Sequence, residues 1–574
     1  MTDRTGAIAP PASMLAPGAK GLSGEWLAYL AAALSAVVLL LFIAYPIGKT
    51  LFLAFIEPGK APGIASLTFG NFRAFFTSPL YQEALVHTLT VSLAATALAV
   101  VVAVPAAYAV ARIDLPLRGV ALTLAVLPLI SPPFIGAYAW IVLLGKRGVI
   151  TQLADMWLGI DLPTIYGPIG ITLALVLHFY PYAFLFTHAA LSAADPHIEE
   201  AGEVMGASRL KIIWSITLPL TVPSIAAGAL LIFTQSLGNF GIPSVLGKDY
   251  MTLPTLLVYN IYGKFNLNAA AAIGLINVLL TIGALLLVRR YSRRGRYVTV
   301  TSTSRAIKRN KSLGAKLLGG AYVWLLLAVS LAPLLVVVAY SFVERWPGTL
   351  LPTLYGMANY SYLFDRLVDP MLASLYLAAV ATIACVLFGT LTAYAAARPG
   401  FFAKPVLDLT IMLPFVIPGL ITGLAFLAAF NSGFLVLSGT AAIIILAYFV
   451  RKLAYTFRSV TAALNQLDGR IEEASTICGA RWGETMRRII VPLVAPGILA
   501  GGILVFATLI MDLSITILLY SANWKTLAIV MYEQLFDDKV GYASAAGTVG
   551  LVVTSLMIYL ASRLVGRSMS DMFR

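Results

Sequence analysis

The chain has 574 residues, 60% of them hydrophobic and only 11% charged, with a net charge of +14. Soluble domains carry roughly 25% charged residues, so a water-soluble globular protein is excluded; disorder, which needs low hydrophobicity and high charge, is excluded too. The apolar stretches run for about 20 residues, the length of a spanning helix and about twice that of a spanning strand. A porin-type barrel therefore does not fit, and the fold class is an all-α polytopic membrane protein.

In chain order, residues 1–26 form a Pro- and Ala-rich tail with few charges. No charged segment directly precedes a short apolar core, so the expectation is a cytoplasmic tail and not a cleaved signal. Twelve spans follow, near 27–54, 84–111, 119–144, 168–191, 220–238, 269–288, 317–341, 373–397, 405–430, 438–456, 497–520 and 543–563. They make two halves of six spans, 27–288 and 317–563, joined by a basic linker at 289–316 and followed by a tail at 564–574.

Orientation follows from Lys and Arg. With the N-terminus inside, and charges within spans assigned to the nearer face, 28 of the 39 basic and 13 of the 25 acidic residues fall on the inner side. All of the positive excess lies on that face, which the positive-inside rule makes cytoplasmic, together with both termini. Arg289, Arg290, Arg293, Arg294, Arg296, Arg305, Lys308, Arg309, Lys311 and Lys316 crowd the linker. Such a segment suits anionic lipid headgroups better than nucleic acid.

The halves resemble each other. Ala107-Tyr108-Ala109 and Arg112 recur as Ala393-Tyr394-Ala395 and Arg398, and Leu127-Pro128 with Pro132 recurs as Leu413-Pro414 with Pro418, at an offset of 286. Glu199-Glu200-Ala201 recurs as Glu472-Glu473-Ala474 at an offset of 273, so the first half carries 13 extra residues around Gly145 to Tyr166. Six spans in each half start both halves inside, which makes this a parallel repeat about an axis along the membrane normal.

The inner loop after the fourth span of each half, near 195–219 and 468–492, is long and mixed in charge. Asp195, Glu199 and Glu200 favour a first helical turn. Gly206 permits the positive φ that ends a short helix, and Pro219 marks the return into the bilayer. Val204, Met205, Ile212 and Ile213 offer an apolar face. In the second copy Glu472, Glu473, Ala474, Gly479 and Pro492 keep the spacing. A plain amphipathic loop on the membrane explains one copy, but not two copies with one spacing in equivalent loops.

These segments resemble the Glu-Ala-Ala-x3-Gly-x9-Ile-x-Leu-Pro signature of the inner-membrane subunits of binding-protein-dependent ABC importers. The departures are Gly202 and Ser475 at the third position and Val491 for Leu. The resemblance covers roughly 84–290 and 370–565 and implies the type I importer permease fold in a bacterial inner membrane. It also implies two coupling helices, formed by Glu199, Glu200, Ala201, Gly206 and Pro219 and by Glu472, Glu473, Ala474, Gly479 and Pro492. These would dock two copies of a cytoplasmic ABC ATPase, while a periplasmic binding protein delivers the cargo. Ile135 to Gly145, Ile165 to Gly170, and Ser236 to Pro243 followed by Leu253-Pro254-Thr255-Leu256 are similar to fused permeases of the ferric-iron group. Relatives of that group handle phosphonates, sugar phosphates, thiamine and polyamines. Ferric iron is therefore the expected cargo, those four the alternatives, and a secondary transporter the rival class.

The resemblance implies no catalysis and no cofactor in this chain, with ATP and Mg²⁺ held by the ATPase. Gly48-Lys49-Thr50 resembles the end of a phosphate loop, but Ile43 stands where its first Gly must be. His87, His178, His188 and His197 show no metal-site spacing, so packed or interfacial roles are expected and no metal site is assigned. Cys385 and Cys478 make no disulfide framework and are expected to fill space.

Asp512 falls well inside the eleventh span, and its repeat mate is Asn239. An acid in a spanning helix is costly and faces a cavity or a partner. The pair is assigned to the translocation path, against the alternatives of a helix–helix hydrogen bond or an end-of-helix group near the outer interface. Gly238, Gly241 and Pro243 predict a break in the fifth span.

Overall fold

The computed structural model describes residues 33–60, 63–294, 309–347, 349–397, 404–468, 470–537 and 539–565. The expected N-terminal tail, most of the C-terminal tail, the centre of the basic linker and Arg398 lie outside them. Nine helices of one half correspond to nine of the other. The first set is α1 (Ala33–Ala54), α2 (Pro79–Arg112), α3 (Arg118–Ile130), α4 (Pro133–Leu144), α5 (Pro168–Ala193), α6 (Pro196–Val204), α7 (Leu218–Leu237), α8 (Gly241–Leu246) and α9 (Leu267–Arg294). The second is α10 (Leu313–Tyr340), α11 (Val368–Ala397), α12 (Lys404–Val416), α13 (Gly419–Phe430), α14 (Ala441–Leu464), α15 (Arg470–Ile477), α16 (Val491–Leu509), α17 (Thr516–Leu519) and α18 (Val540–Val565).

Among the described residues ten helices are long and apolar enough to cross a membrane. The other two expected spans are helical as well. One is a pair, Leu407–Pro414 and Gly419–Phe430, bent by 102°. The other is α14, which carries Arg451, Lys452 and Arg458 within its length. The third expected span, 119–144, is not continuous: α3 ends at Ile130 and α4 begins at Pro133. Pro132 and Pro133 have no N–H to donate into the preceding turn, so the helix cannot run through them.

Small residues decide how the helices meet. The buried stripe Ala95, Ala99, Ala103 and Ala107 of α2 is spaced by four residues, one face of a helix. It lets α2 lie against α5 and α7. In α11 the equivalent stripe is Ala381, Cys385, Gly389 and Ala393, and α11 packs on α14 and α16. Cys385 thus fills the place of Ala99. Cys478 does not fill space: it is exposed, in the turn after α15.

Where α7 crosses α5, a Cβ added at Gly228 would lie 2.8 Å from the Cα of Ala183. Its repeat mate Gly501 stands in the same relation to Thr456, also at 2.8 Å. The first helix of each half packs across the pair: α1 lies on α13 and α10 on α4. A short antiparallel pair, β1 (Val343–Arg345) and β2 (Leu354–Tyr355), with Val343 opposite Tyr355, follows α10.

Gly501→Leu forces α16 away from α14, and overpacking of this kind costs about 1–3 kcal/mol. Thermal unfolding of the detergent-purified chain should fall by several degrees for Gly228→Leu and Gly501→Leu. Gly283→Leu, where a Cβ meets nothing within 4 Å, should leave it unchanged.

Candidate functional site

Two surfaces stand out: a pair of short helical tips, one in each half, and one polar cavity between the halves.

Each tip is a short helix closed by a glycine turn. Asp195 opens α6, its Oδ1 accepting from the His197 N–H at 3.0 Å, and Asp468 does the same for the Arg470 N–H at 3.0 Å. Gly206 at φ 79° and Gly479 at φ 83° end them in the left-handed region, which a side chain rarely adopts. The residues just before these glycines are bare apolar groups: Val204 is 88% exposed, Met205 87% and Ile477 85%. Glu200, Ala201, Glu473 and Ala474 are exposed beside them. Pro219 and Pro492 occupy the first turns of α7 and α16.

The third signature position is buried in both copies. A Cβ on Gly202 would meet Ile216 and Ile212 at 3.1 and 3.2 Å, so the first copy closes on apolar side chains. In the second copy Ser475 bonds Thr485, the repeat mate of Ile212, through their hydroxyls at 2.7 Å. Thr–Ser and Ile–Gly are two solutions to one contact.

Glu199 and Glu472 face the transmembrane helices and not outward. Arg112, only 5% exposed at the end of α2, donates to Glu199 at 2.9 Å, and Thr217 donates to the same oxygen at 3.0 Å. In the second copy Ile490 replaces Thr217 and cannot donate. There Tyr394 of α11 donates to Glu472 at 3.3 Å and accepts from the Trp482 indole at 3.1 Å. Each tip is therefore tied to the long helix of its own half through a carboxylate. The end of α2 is also joined to the linker: the Asn310 N–H donates to the Arg112 carbonyl at 2.8 Å, and Lys316 pairs with Asp114 at 2.8 Å. That pairing holds the Asp114 carboxyl below its ordinary value.

The cavity, of about 160 Å³, lies where four helix breaks converge. Asn239 and Asp512 both line it. Asp512 is not inside a continuous helix: α16 ends at Leu509 and α17 starts at Thr516. The fifth span breaks likewise, between Leu237 and Gly241. The two side chains do one local job. Asn239 Oδ1 accepts from the Ile242 N–H and Asp512 Oδ1 from the Ile515 N–H, both at 2.9 Å. Each satisfies a backbone donor that the break leaves without a helical acceptor.

His178, Tyr182, Arg451, Lys452 and Tyr455 share the lining. His178 is thus a cavity residue as well as a packed one. Under the 273 offset it is the mate of Arg451, and Tyr182 the mate of Tyr455. Arg451 and Lys452 were legible as adjacent cations inside the apolar stretch 438–456, at about 2.5–3.5 kcal/mol each on insertion scales. They lie near one end of that stretch, where the cost is smaller than at a helix centre. Among the described residues no group of three or more His, Cys, Asp or Glu could hold a metal ion.

The model of the family described as "Binding-protein-dependent transport system inner membrane component" matches twice, at residues 95–297 and 386–571. A ferric transport system permease protein of Actinobacillus pleuropneumoniae is 30% identical over 448 residues, 77% of this chain and 65% of that protein. A putative one of Haemophilus influenzae is 30% identical over 413 residues, 70% of this chain and 64% of that protein. The chain thus spans somewhat under two thirds of the length of these relatives. A putative 2-aminoethylphosphonate transport system permease protein of Salmonella typhi is 28% identical over 236 residues, 41% of this chain and 89% of that protein.

Glu199 and Glu200 are adjacent but do different things. Glu199→Ala strips a nearly buried Arg112 of its counter-charge and should lower stability by about 2 kcal/mol. Glu200→Ala removes a half-exposed partner of His197 and should change it by less than about 0.5 kcal/mol. Thermal melts of the two variants in one detergent compare them directly.

Proposed function

The chain belongs to the family of inner-membrane components of binding-protein-dependent transport systems, and from that membership we propose that it is the fused permease of an ATP-driven importer whose cargo is ferric iron. The observation that carries the reading is the pair of exposed apolar tips, Val204–Met205 and Ile477–Cys478, at equivalent places in the two halves. Two similar tips call for two copies of one ATPase, which holds ATP and Mg²⁺ and does the hydrolysis. A periplasmic binding protein supplies the cargo from the other side. The positive-inside rule puts the tips, the linker and both termini in the cytoplasm.

Coupling then has a physical route. Force on α6 reaches α2 through Glu199 and Arg112, and force on α15 reaches α11 through Glu472 and Tyr394. The docking surface is formed by Glu200, Ala201 and Gly206 with Glu473, Ala474 and Gly479, while Glu199 and Glu472 transmit. Pro219 and Pro492 carry the motion into α7 and α16, and Asn239 and Asp512 lie in the breaks just beyond the far ends of these helices. Similarity to the two ferric permeases supports iron; the shorter likeness to the aminoethylphosphonate permease supports a phosphonate as the second reading.

Two measurements test this. Native mass of the gently purified complex should show two ATPase subunits per chain; one, or none, counts against it. In vesicles holding the full complex, ferric iron uptake should require ATP, persist without an ion gradient, and fall at least tenfold in Gly206→Pro and Gly479→Pro while ATP hydrolysis continues. Proline fixes φ near −65° and cannot adopt these turns. Uptake driven by a gradient without ATP would point to a secondary transporter instead.

A further inference from the structure

The halves repeat in backbone but not in charge, and the difference is concentrated in the cavity. On the first half its lining presents His178, Tyr182, Gln235 and Asn239. The equivalent positions of the second half present Arg451, Tyr455, Thr508 and Asp512, and Lys452 is added beside Arg451. Two fixed cations therefore face one fixed anion.

Arg451 is anchored, and among the described residues no ion pair neutralises either cation. Arg451 donates one guanidinium N–H to the carbonyl of Ile417, at the bend before α13, while its Nε is buried with no hydrogen-bond partner. Gly419 admits it: a Cβ there would lie 3.3 Å from the guanidinium carbon. Lys452 is 7% exposed, forms no ion pair or hydrogen bond among the described residues, and lies 5.6 Å from the Tyr455 ring. Asp512 is near enough to both to interact electrostatically, forms an ion pair with neither among the described residues, and accepts from the Ile515 N–H through its Oδ1. A buried lysine and a buried, unpartnered guanidinium nitrogen are costly to keep unless something negative visits them.

We propose that this cavity is an oxyanion site, in which the cargo meets Arg451 and Lys452 through anionic oxygen atoms while Asp512 keeps the net charge low enough for release. This rests on the importer reading and deepens it. A bare trivalent cation is repelled by the lining, so if the cargo is iron, it crosses with anionic oxygen ligands attached. A free phosphonate presents the same chemistry from another source.

The test uses the permease–ATPase complex in nanodiscs, with binding read by thermal shift and by radiolabelled ligand, independently of uptake. The probes are inorganic phosphate, 2-aminoethylphosphonate, ferric citrate and gadolinium chloride. Wild type should bind at least one of the three anions and not gadolinium. Lys452→Gln and Arg451→Gln should each weaken that binding at least tenfold, Lys452→Arg should restore most of it, and Asp512→Asn should tighten it. Ferric citrate alone assigns the site to ligand-wrapped metal; phosphate or phosphonate binding assigns it to a free oxyanion.

Preferred binding of gadolinium, absence of any anion binding, or anion binding that survives Lys452→Gln overturns the proposal. Should the glutamine variants fail to fold, Asp512→Asn decides by itself, because weaker or unchanged anion binding there also overturns it. Failure of ferric uptake by wild type with intact anion binding refutes the iron reading and leaves the site standing.

Discussion

A backbone inside a bilayer has no water to bond, so each of its N–H and C=O groups must be satisfied within the protein. The rest of the structure depends on that constraint. It makes the chain helical, and it allows irregular backbone only where protein surrounds it. Among the described residues, four breaks in spanning segments, at Ser131–Pro132, Ile417–Pro418, Gly238–Phe240 and Ile510–Ile515, meet at one place. All four border the same cavity. Asn239 and Asp512 are polar because two of these breaks need an acceptor. The residues that make the break possible are thus the residues that line the opening.

The repeat supplies the geometry and its departures supply the chemistry. Gly228 and Gly501 make the same close helix crossing in both halves, and Pro132 and Pro418 lie at equivalent helix breaks. A Cβ on Gly238 would strike Pro418 at 2.4 Å, so the two halves touch at their breaks. Against that shared frame His178 is replaced by Arg451 and Asn239 by Asp512. The two sides of the cavity thus share a backbone frame and differ in charge.

The two tips show the same division. Gly206 and Gly479 need the left-handed turn in either copy, whereas Glu199 and Glu472 reach the long helices by different donors, Arg112 with Thr217 in one and Tyr394 in the other. Direct bonding to a buried guanidinium makes the first link the more strongly electrostatic of the two. The exposed Val204, Met205 and Ile477 are costly to leave in water.

By itself the sequence determined the helical class, the two halves, their matched loops and the glycine turns. Each follows from a short-range rule: hydrophobic length, the spacing of a repeat, the φ that only glycine adopts freely. The predicted break in the fifth span was legible for that reason, from Gly238, Gly241 and Pro243. Tertiary structure decided what local rules do not reach. It decided that Asp512 sits in a break and not in a helix, and that Glu199 turns inward while its neighbour Glu200 faces out. It also decided that Cys478 is bare and that His178, Arg451 and Lys452 meet in one cavity. A buried cation reads as a cost in sequence, but where that cost is met depends on which helices surround it, and only packing brings residues 178, 239, 451 and 512 to one place.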